Sequence, residues 1–249
     1  MKLFRLIITF ILVCMVAFGI LVLLASWADR REEKTNNFNQ LYSIEPESLL
    51  DDIEKGKIDV FVPINEEPPW PSPDQQIPVP WTQKDYFRIV NAAFEFVWND
   101  TITDWQLNNM SFNLDCAKYN IGFQAGIFKF FKNEEINRNK IRIERIVNID
   151  PRDKTVYVGE NQYSPRLDNW SSIDLKHNQL SAEEILRIAD NAGGKTNRLS
   201  TDNGCNISLF LAPGSAYKGW WIRYSRSDDN SATLFQAEIN PSTGEIHLP

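Results

Sequence analysis

The feature that most restricts how this chain can fold is an uncharged apolar run near its amino terminus, over residues 6–25. At about 1.5 Å of rise per residue, a helix of this length extends about 30 Å, the thickness of the hydrocarbon core of a bilayer. A buried helix of a soluble domain is the alternative, but a run that is this long and apolar on all sides is more typical of a membrane span. We therefore assign residues 1–28 to a transmembrane signal anchor and predict a single-pass membrane protein.

The flanking charges decide the orientation only weakly, because Lys2 and Arg5 before the run are balanced by Arg30, Arg31 and Lys34 after it. A short basic leader is typical of an anchor whose amino terminus stays inside. We therefore predict a protein of the cell membrane with an extracytoplasmic C-terminal body. A cleavable signal peptide is the alternative, since Ser26 and Ala28 would form a small-x-small cleavage site before Asp29.

The composition of the body is that of a folded acidic protein. The whole chain is 43% hydrophobic and 24% charged, with a formal net charge of −7. That charge includes two cationic residues of the leader, so the residues after position 28 carry −9. Because nucleic-acid binding requires clustered lysine and arginine, we expect no nucleic-acid partner.

Residues 29–80 have the composition of a tether and a proline-rich linker. The first part is polar and rich in asparagine, without apolar periodicity, and residues 46–55 could form a short helix before Gly56. Seven of the 13 prolines then fall between Pro63 and Pro80. Proline lacks the backbone N–H that a central strand or a helix interior needs, so we predict an extended spacer here.

Two distant segments begin helices in the same way. Thr82 with Asp85, and Ser181 with Glu184, have the spacing of a capping box, in which the side chains at the N-cap and N3 positions satisfy each other's backbone N–H. Apolar residues at helical spacing follow both boxes, namely Tyr86, Ile89, Val90, Ala93 and Val97 in the first segment and Ile185, Ile188, Ala189 and Ala192 in the second. The two segments align without a gap.

The similarity continues beyond the helices. Alternating apolar and polar residues lead to Ile149-Asp150-Pro151 in one segment and to Ile239-Asn240-Pro241 in the other, and a further strand follows each turn. We therefore predict two similar units, residues 81–163 and 164–249. The fold class is α+β, with an N-terminal transmembrane helix followed by two units of one helix packed on an antiparallel three- or four-stranded sheet.

The second unit resembles the PepSY domain. The resemblance rests on the closing turn, Ala237 to Ile246 with Asn240-Pro241-Ser242-Thr243-Gly244, and on the helix from Ser181 to Ala192. The first unit departs from this pattern, because Asp153-Lys154 replaces Thr-Gly and about ten extra residues separate its helix from Cys116. PepSY domains occur in exported or membrane-attached bacterial proteins and in protease propeptides. The resemblance implies a non-catalytic module that binds or restrains a peptidase.

The residues that could carry chemistry do not form a recognisable site. Gly194-Lys195-Thr196 lacks the earlier glycine of a phosphate-binding loop, and His177 and His247 lie at no close ligand spacing to a cysteine. We therefore predict no catalytic, cofactor-binding or metal-binding residues. Cys116 and Cys205 form a disulfide between the units in one interpretation, as an exported body would allow, and are two buried thiols in the other.

Trp220, Trp221 and Tyr224 are the predicted contact surface. Adjacent residues of a strand point to opposite faces, so one tryptophan should be buried and the other exposed, and aromatic residues are enriched where proteins bind each other. Two-sided packing inside the body is the alternative. The leading functional hypothesis is an extracytoplasmic module that binds a protein or peptide partner. An enzyme with a site between the two units, and an assembly factor of a membrane complex, are the alternatives.

Overall fold

The computed structural model describes residues 34–57, 59–65, 79–136, 139–163, 171–175, 180–213 and 219–248. The helices in these ranges are α1 (Pro46–Glu54), α2 (Gln83–Trp98), α3 (Ala182–Ala189) and α4 (Lys195–Ser200). The strands are β1 (Lys34–Ser43), β2 (Val62–Ile64), β3 (Gln106–Asp115), β4 (Ala125–Ile136), β5 (Asn139–Asp150), β6 (Thr155–Tyr163), β7 (Cys205–Leu211), β8 (Trp220–Arg226), β9 (Thr233–Ile239) and β10 (Ile246–His247).

The ten strands of the described ranges form a single antiparallel sheet in the order β10-β9-β8-β7-β3-β4-β5-β6-β1-β2. The prediction of two units on separate three- or four-stranded sheets is therefore wrong. Each half does contribute a helix followed by four consecutive strands, but β3 of the first half pairs with β7 of the second, with Met110 to Asp115 opposite Leu211 to Asn206. Two separate sheets would each expose the backbone groups of an edge strand, and the pairing removes both edges.

The predicted transmembrane anchor lies outside the described residues. Over the ranges that the structure covers, no helix combines the length and the apolar character needed to cross a membrane. The anchor over residues 6–25 therefore stays a prediction from the sequence.

Part of the segment interpreted as a tether belongs to the sheet. β1 pairs with β6 over most of its length, and β2 pairs with β1 at the edge. The polar sequence of β1 is compatible with this position because side chains on one face of the sheet can reach polar neighbours, as when the hydroxyl of Tyr157 donates to Asn39 Oδ1 at 2.7 Å. Pro63 is tolerated in β2, since an edge strand has one side that needs no ladder hydrogen bonds.

The two predicted capping boxes are confirmed, and they stand side by side. In each box the N-cap side chain accepts from the N3 backbone N–H, and the N3 carboxylate accepts from the N-cap N–H. The helices also cap each other, because Gln83 N donates to Glu183 Oε1 at 2.6 Å and Ala182 N donates to Gln83 Oε1 at 2.6 Å. Backbone donors that a helix cannot satisfy internally are thus satisfied across the junction of the halves.

The helices cover one face of the sheet, where the core lies. The Tyr86 ring of α2 packs edge-on against Phe112, with ring centroids 5.5 Å apart, and its hydroxyl donates to the Phe123 carbonyl. A side chain at Gly126 would meet the Tyr86 ring at 2.7 Å, so glycine permits this close approach. Phe112 stacks on Trp220 of the second half, with ring centroids 6.3 Å apart. The two halves therefore share one hydrophobic core.

The cysteines are joined by a disulfide at the end of the β3–β7 pair. The register places Asp115 opposite Asn206, so the next pair of positions is Cys116 and Cys205, with Cα atoms 5.2 Å apart. Both residues are buried. The bridge closes a loop of 89 residues, which corresponds to about 4 kcal/mol of stabilisation in the chain-entropy description.

The mutual helix capping predicts the effect of Gln83→Ala. This change removes the acceptor for Ala182 N, and losing a capping interaction of this kind costs about 1 kcal/mol. We expect the free energy of unfolding of the full chain to fall by that amount in chemical denaturation. Lys84→Ala is the control, because Lys84 is exposed in the same helical turn. Equal effects of the two changes would contradict the capping role.

The disulfide predicts how many of the cysteines are free thiols. The chain contains three cysteines, so alkylation in denaturant without reductant should modify one of them, and alkylation after reduction should modify all three. Mass spectrometry of the full chain counts the adducts directly. Three adducts without reductant would show that Cys116 and Cys205 are free thiols.

Candidate binding groove

The predicted contact residues lie on opposite faces of β8, and two of them belong to the core. Trp220 and Tyr224 have 0% exposure on the helix-covered face, because residues 220, 222 and 224 of a strand point the same way. They therefore cannot form a contact surface, which corrects that part of the prediction. Trp221 is half-buried on the face that lacks the described helices, which we call the open face. Of the three residues, only Trp221 lies at a candidate site.

A groove of about 510 Å³ lies on the open face where the two halves meet. Three neighbouring strands line it, because β3 pairs with β7 and β7 pairs with β8. One row across these strands consists of Asn113, Ser208 and Arg223. The residues that line the groove are Asn113, Leu114, Gln124, Arg152, Asn206, Ile207, Ser208, Trp221, Arg223, Ser225 and Asn230. None of these side chains is a carboxylate, although the chain is acidic overall.

Arg223 is one of the two arginines that line this groove. Its Nη2 atom donates to the carbonyl oxygens of Asn230 and Ser231 at 2.8 and 2.9 Å, which ties β8 to the loop before β9. Its Nε atom is buried and has no hydrogen-bond partner. Among the described residues, no carboxylate lies within ion-pair distance of Arg223. The groove therefore contains a guanidinium whose charge is not neutralised by the described part of the chain.

Arg152, at the turn between β5 and β6, is already neutralised. Its Nε and Nη2 atoms donate to the two oxygens of Asp150 at 3.1 and 2.6 Å. This contact raises the pKa of Arg152 above its usual value. Burial and the nearby Asp150 raise the pKa of Asp153. The two arginines of the groove therefore differ, since Arg152 belongs to an internal pair and Arg223 does not.

Most of the side-chain amide oxygens in the groove already accept hydrogen bonds, whereas most of the side-chain amide N–H groups have no partner among the described residues. Ser208 Oγ donates to Asn113 Oδ1 at 3.0 Å, and Asn206 Nδ2 donates to Asn230 Oδ1 at 3.2 Å. Gln124 Oε1 accepts from the backbone N–H of Asp115 at 3.1 Å. With one bond counted per amide atom, the described residues leave the N–H groups of Asn113, Gln124 and Asn230 without a partner, and one amide oxygen, Asn206 Oδ1.

A buried polar network beneath β8 holds this strand against the helices. Asp190 lies in a π-helical turn between α3 and α4 and accepts from the Tyr224 hydroxyl at 2.8 Å and from Arg198 Nη2 at 3.0 Å. The Arg198 guanidinium also stacks on Tyr119 at 4.1 Å. Burial and the charge of Asp190 raise the pKa values of Tyr119 and Tyr224. Gly194 allows the approach, because a Cβ there would meet Tyr224 at 2.7 Å.

The sequence prediction missed most of the groove. Alternation along β8 already implies that Trp221, Arg223 and Ser225 share a face. Asn113, Asn206 and Ser208 carry no such signal, because they join the groove only when β3 pairs with β7, which no local pattern predicts. In the described ranges, no group of three or more histidine, cysteine, aspartate or glutamate residues could hold a metal ion.

Comparison with known proteins adds no assignment: no protein-family model matches the chain, and no curated protein matches it. The resemblance to PepSY domains therefore stays a prediction from the closing turn and the capped helix. What can be said of function rests on the geometry of the described residues.

The buried network predicts a large effect of Asp190→Asn. The change keeps an acceptor for Tyr224 but leaves the Arg198 charge, with 11% of its side chain exposed, without its carboxylate. Removing one partner of a buried ion pair costs about 3–5 kcal/mol, and thermal or chemical unfolding measures this loss. Asp228→Asn is the matched control, because its pair with Arg226 is exposed and should leave stability unchanged. A small effect of Asp190→Asn would show that the network does not hold β8.

Proposed function

We propose that the chain is a membrane-anchored, extracytoplasmic module without catalytic activity that binds a protein or peptide partner through the groove on its open face. The observation that carries the proposal is the groove itself. It lies on a sheet face that the described helices do not cover, and its described lining has hydrogen-bonding side chains but no carboxylate. It includes Arg223, for which the described residues supply no ion-pair partner. The Nε atom of Arg223 is buried without a hydrogen-bond partner among the described residues, and an unsatisfied buried donor of this kind costs free energy.

The proposed location has two supports. The apolar sequence of residues 6–25 is long enough to anchor the chain. The disulfide between Cys116 and Cys205 is compatible with an oxidising compartment outside the cytoplasm, where such bonds persist. An enzyme and an assembly factor remain predictions, because no contact among the described residues favours either of them over a binding module.

Photo-cross-linking in intact cells tests the proposed surface. A photoreactive amino acid at position 113 lies on the open face at an exposed position of β3, and one at the exposed position 84 lies on α2, on the opposite side of the sheet. We expect irradiation to give a discrete protein adduct from position 113 and none from position 84. No adduct from position 113, or the same adducts from both positions, would contradict binding through the groove.

A further inference from the structure

We propose that the groove is selective for an extended peptide segment that carries a carboxylate, and that Arg223 binds this carboxylate. This inference rests on the proposed function and specifies the chemistry of the partner. It follows from three properties of the groove: its charge, the balance of its hydrogen-bonding atoms and the apolar surface beside it.

The charge of the groove favours binding of an anion at Arg223. The described part of the chain supplies a carboxylate for Arg152 but none for Arg223. Arginine donates from several N–H groups, and its hydrogen bonds to a carboxylate are shorter and stronger than those between neutral groups. A ligand carboxylate at Arg223 would therefore form a charge-assisted hydrogen bond, which is stronger than the bond that a neutral acceptor would form there.

The remaining hydrogen-bonding atoms favour a ligand rich in acceptors. Among the described residues, the side-chain N–H groups of Asn113, Gln124 and Asn230 have no partner, against the single unpartnered amide oxygen of Asn206. Peptide carbonyl and carboxylate oxygens are acceptors only. A cationic ligand would bring further donors to a surface that already has a surplus of them, so lysine-rich or arginine-rich segments should be rejected.

The surface beside the groove fits the side chains of an extended peptide. The row next to Asn113, Ser208 and Arg223 on the open face contains Phe210 opposite Trp221. Both aromatic residues are half-buried. Alternate side chains of an extended peptide are about 7 Å apart and could reach the polar row and the aromatic row in turn. We therefore expect a segment in which an acidic residue and an apolar residue stand two positions apart, so that both side chains face the groove.

Binding of two labelled peptide pools to the full-length protein in lipid nanodiscs tests the inference. Each pool contains ten-residue peptides in which one fixed residue and an apolar residue take every second position in turn, with Ser at the positions between them. The fixed residue is Glu in the first pool and Gln in the second. We expect fluorescence anisotropy to show at least tenfold tighter binding of the Glu pool. A lysine pool should not bind.

Two substitutions connect the preference to the groove. Arg223→Gln should remove the preference for the Glu pool. Asn113→Asp should weaken the binding of the Glu pool at least tenfold, because it replaces a donor by an anion while still accepting from Ser208. Arg226→Gln is the matched control, since it removes the same charge from the same strand at an exposed residue that pairs with Asp228. This control should retain the preference.

The outcomes separate this inference from the proposed function. Equal binding of the Glu and Gln pools, or a preference that Arg226→Gln removes as fully as Arg223→Gln does, would overturn the carboxylate inference while leaving a groove-bound partner intact. Binding of oligogalacturonate instead of either peptide pool, with loss on Arg223→Gln, would show that the groove reads an anionic glycan and would overturn the peptide assignment. Failure of the proposed function appears separately, as the absence of cross-linked protein from position 113.

Discussion

The pairing of β3 with β7 is the interaction on which the rest of the structure depends. Each half of the chain, helix followed by meander, would otherwise end in an open edge strand. The pairing places Cys116 beside Cys205. It also brings the amino termini of α2 and α3 together and sets Asn113 next to Ser208. The disulfide, the mutual helix caps and the groove therefore all depend on the register in which β3 pairs with β7.

Acidic side chains surround the adjacent amino termini of α2 and α3. Helix amino termini carry partial positive charge, so two of them side by side repel each other. Asp85 and Glu184 bring a carboxylate to each end, and hydrogen bonds to the Ser181 backbone and side chain lower the pKa of Glu184. Glu183 adds a third carboxylate. It takes no part in the capping box of its own helix and accepts a hydrogen bond from the backbone N–H of Gln83 in the other helix. Acidic residues at this position stabilise an arrangement that neutral residues would leave strained.

Local features were predictable from the sequence, and pairings between distant strands were not. The two capping boxes and the helices after them follow from side-chain chemistry within four residues. The extra residues before Cys116 were visible but had no explanation in the sequence. The structure explains them, because Cys116 directly follows the ten-residue first strand of its half, whereas Cys205 is the first residue of the corresponding strand. In an antiparallel pair, residues at the same end of the two strands must occur in this order.

The same distinction explains why the polar segments were misjudged. β1 lacks an apolar period because its backbone is satisfied by β6 and part of its side-chain surface faces polar neighbours such as Tyr157. Trp220 and Tyr224 were assigned to a contact surface on residue type, but burial depends on the helix that covers their face. Residue type therefore identified an important strand, and only the sheet topology shows which of its faces can meet a partner.

The groove requires the two halves to remain in fixed register. Asn113 comes from the first half and Arg223 from the second, with only β7 between them. A shift of one residue between β3 and β7 would turn every side chain of one half to the other face and remove Asn113 from its row with Ser208 and Arg223. The disulfide next to the Asp115–Asn206 pair prevents such a shift at the end nearest the groove. Its contribution to binding is thus to keep the two walls of one site aligned, in addition to stabilising the fold.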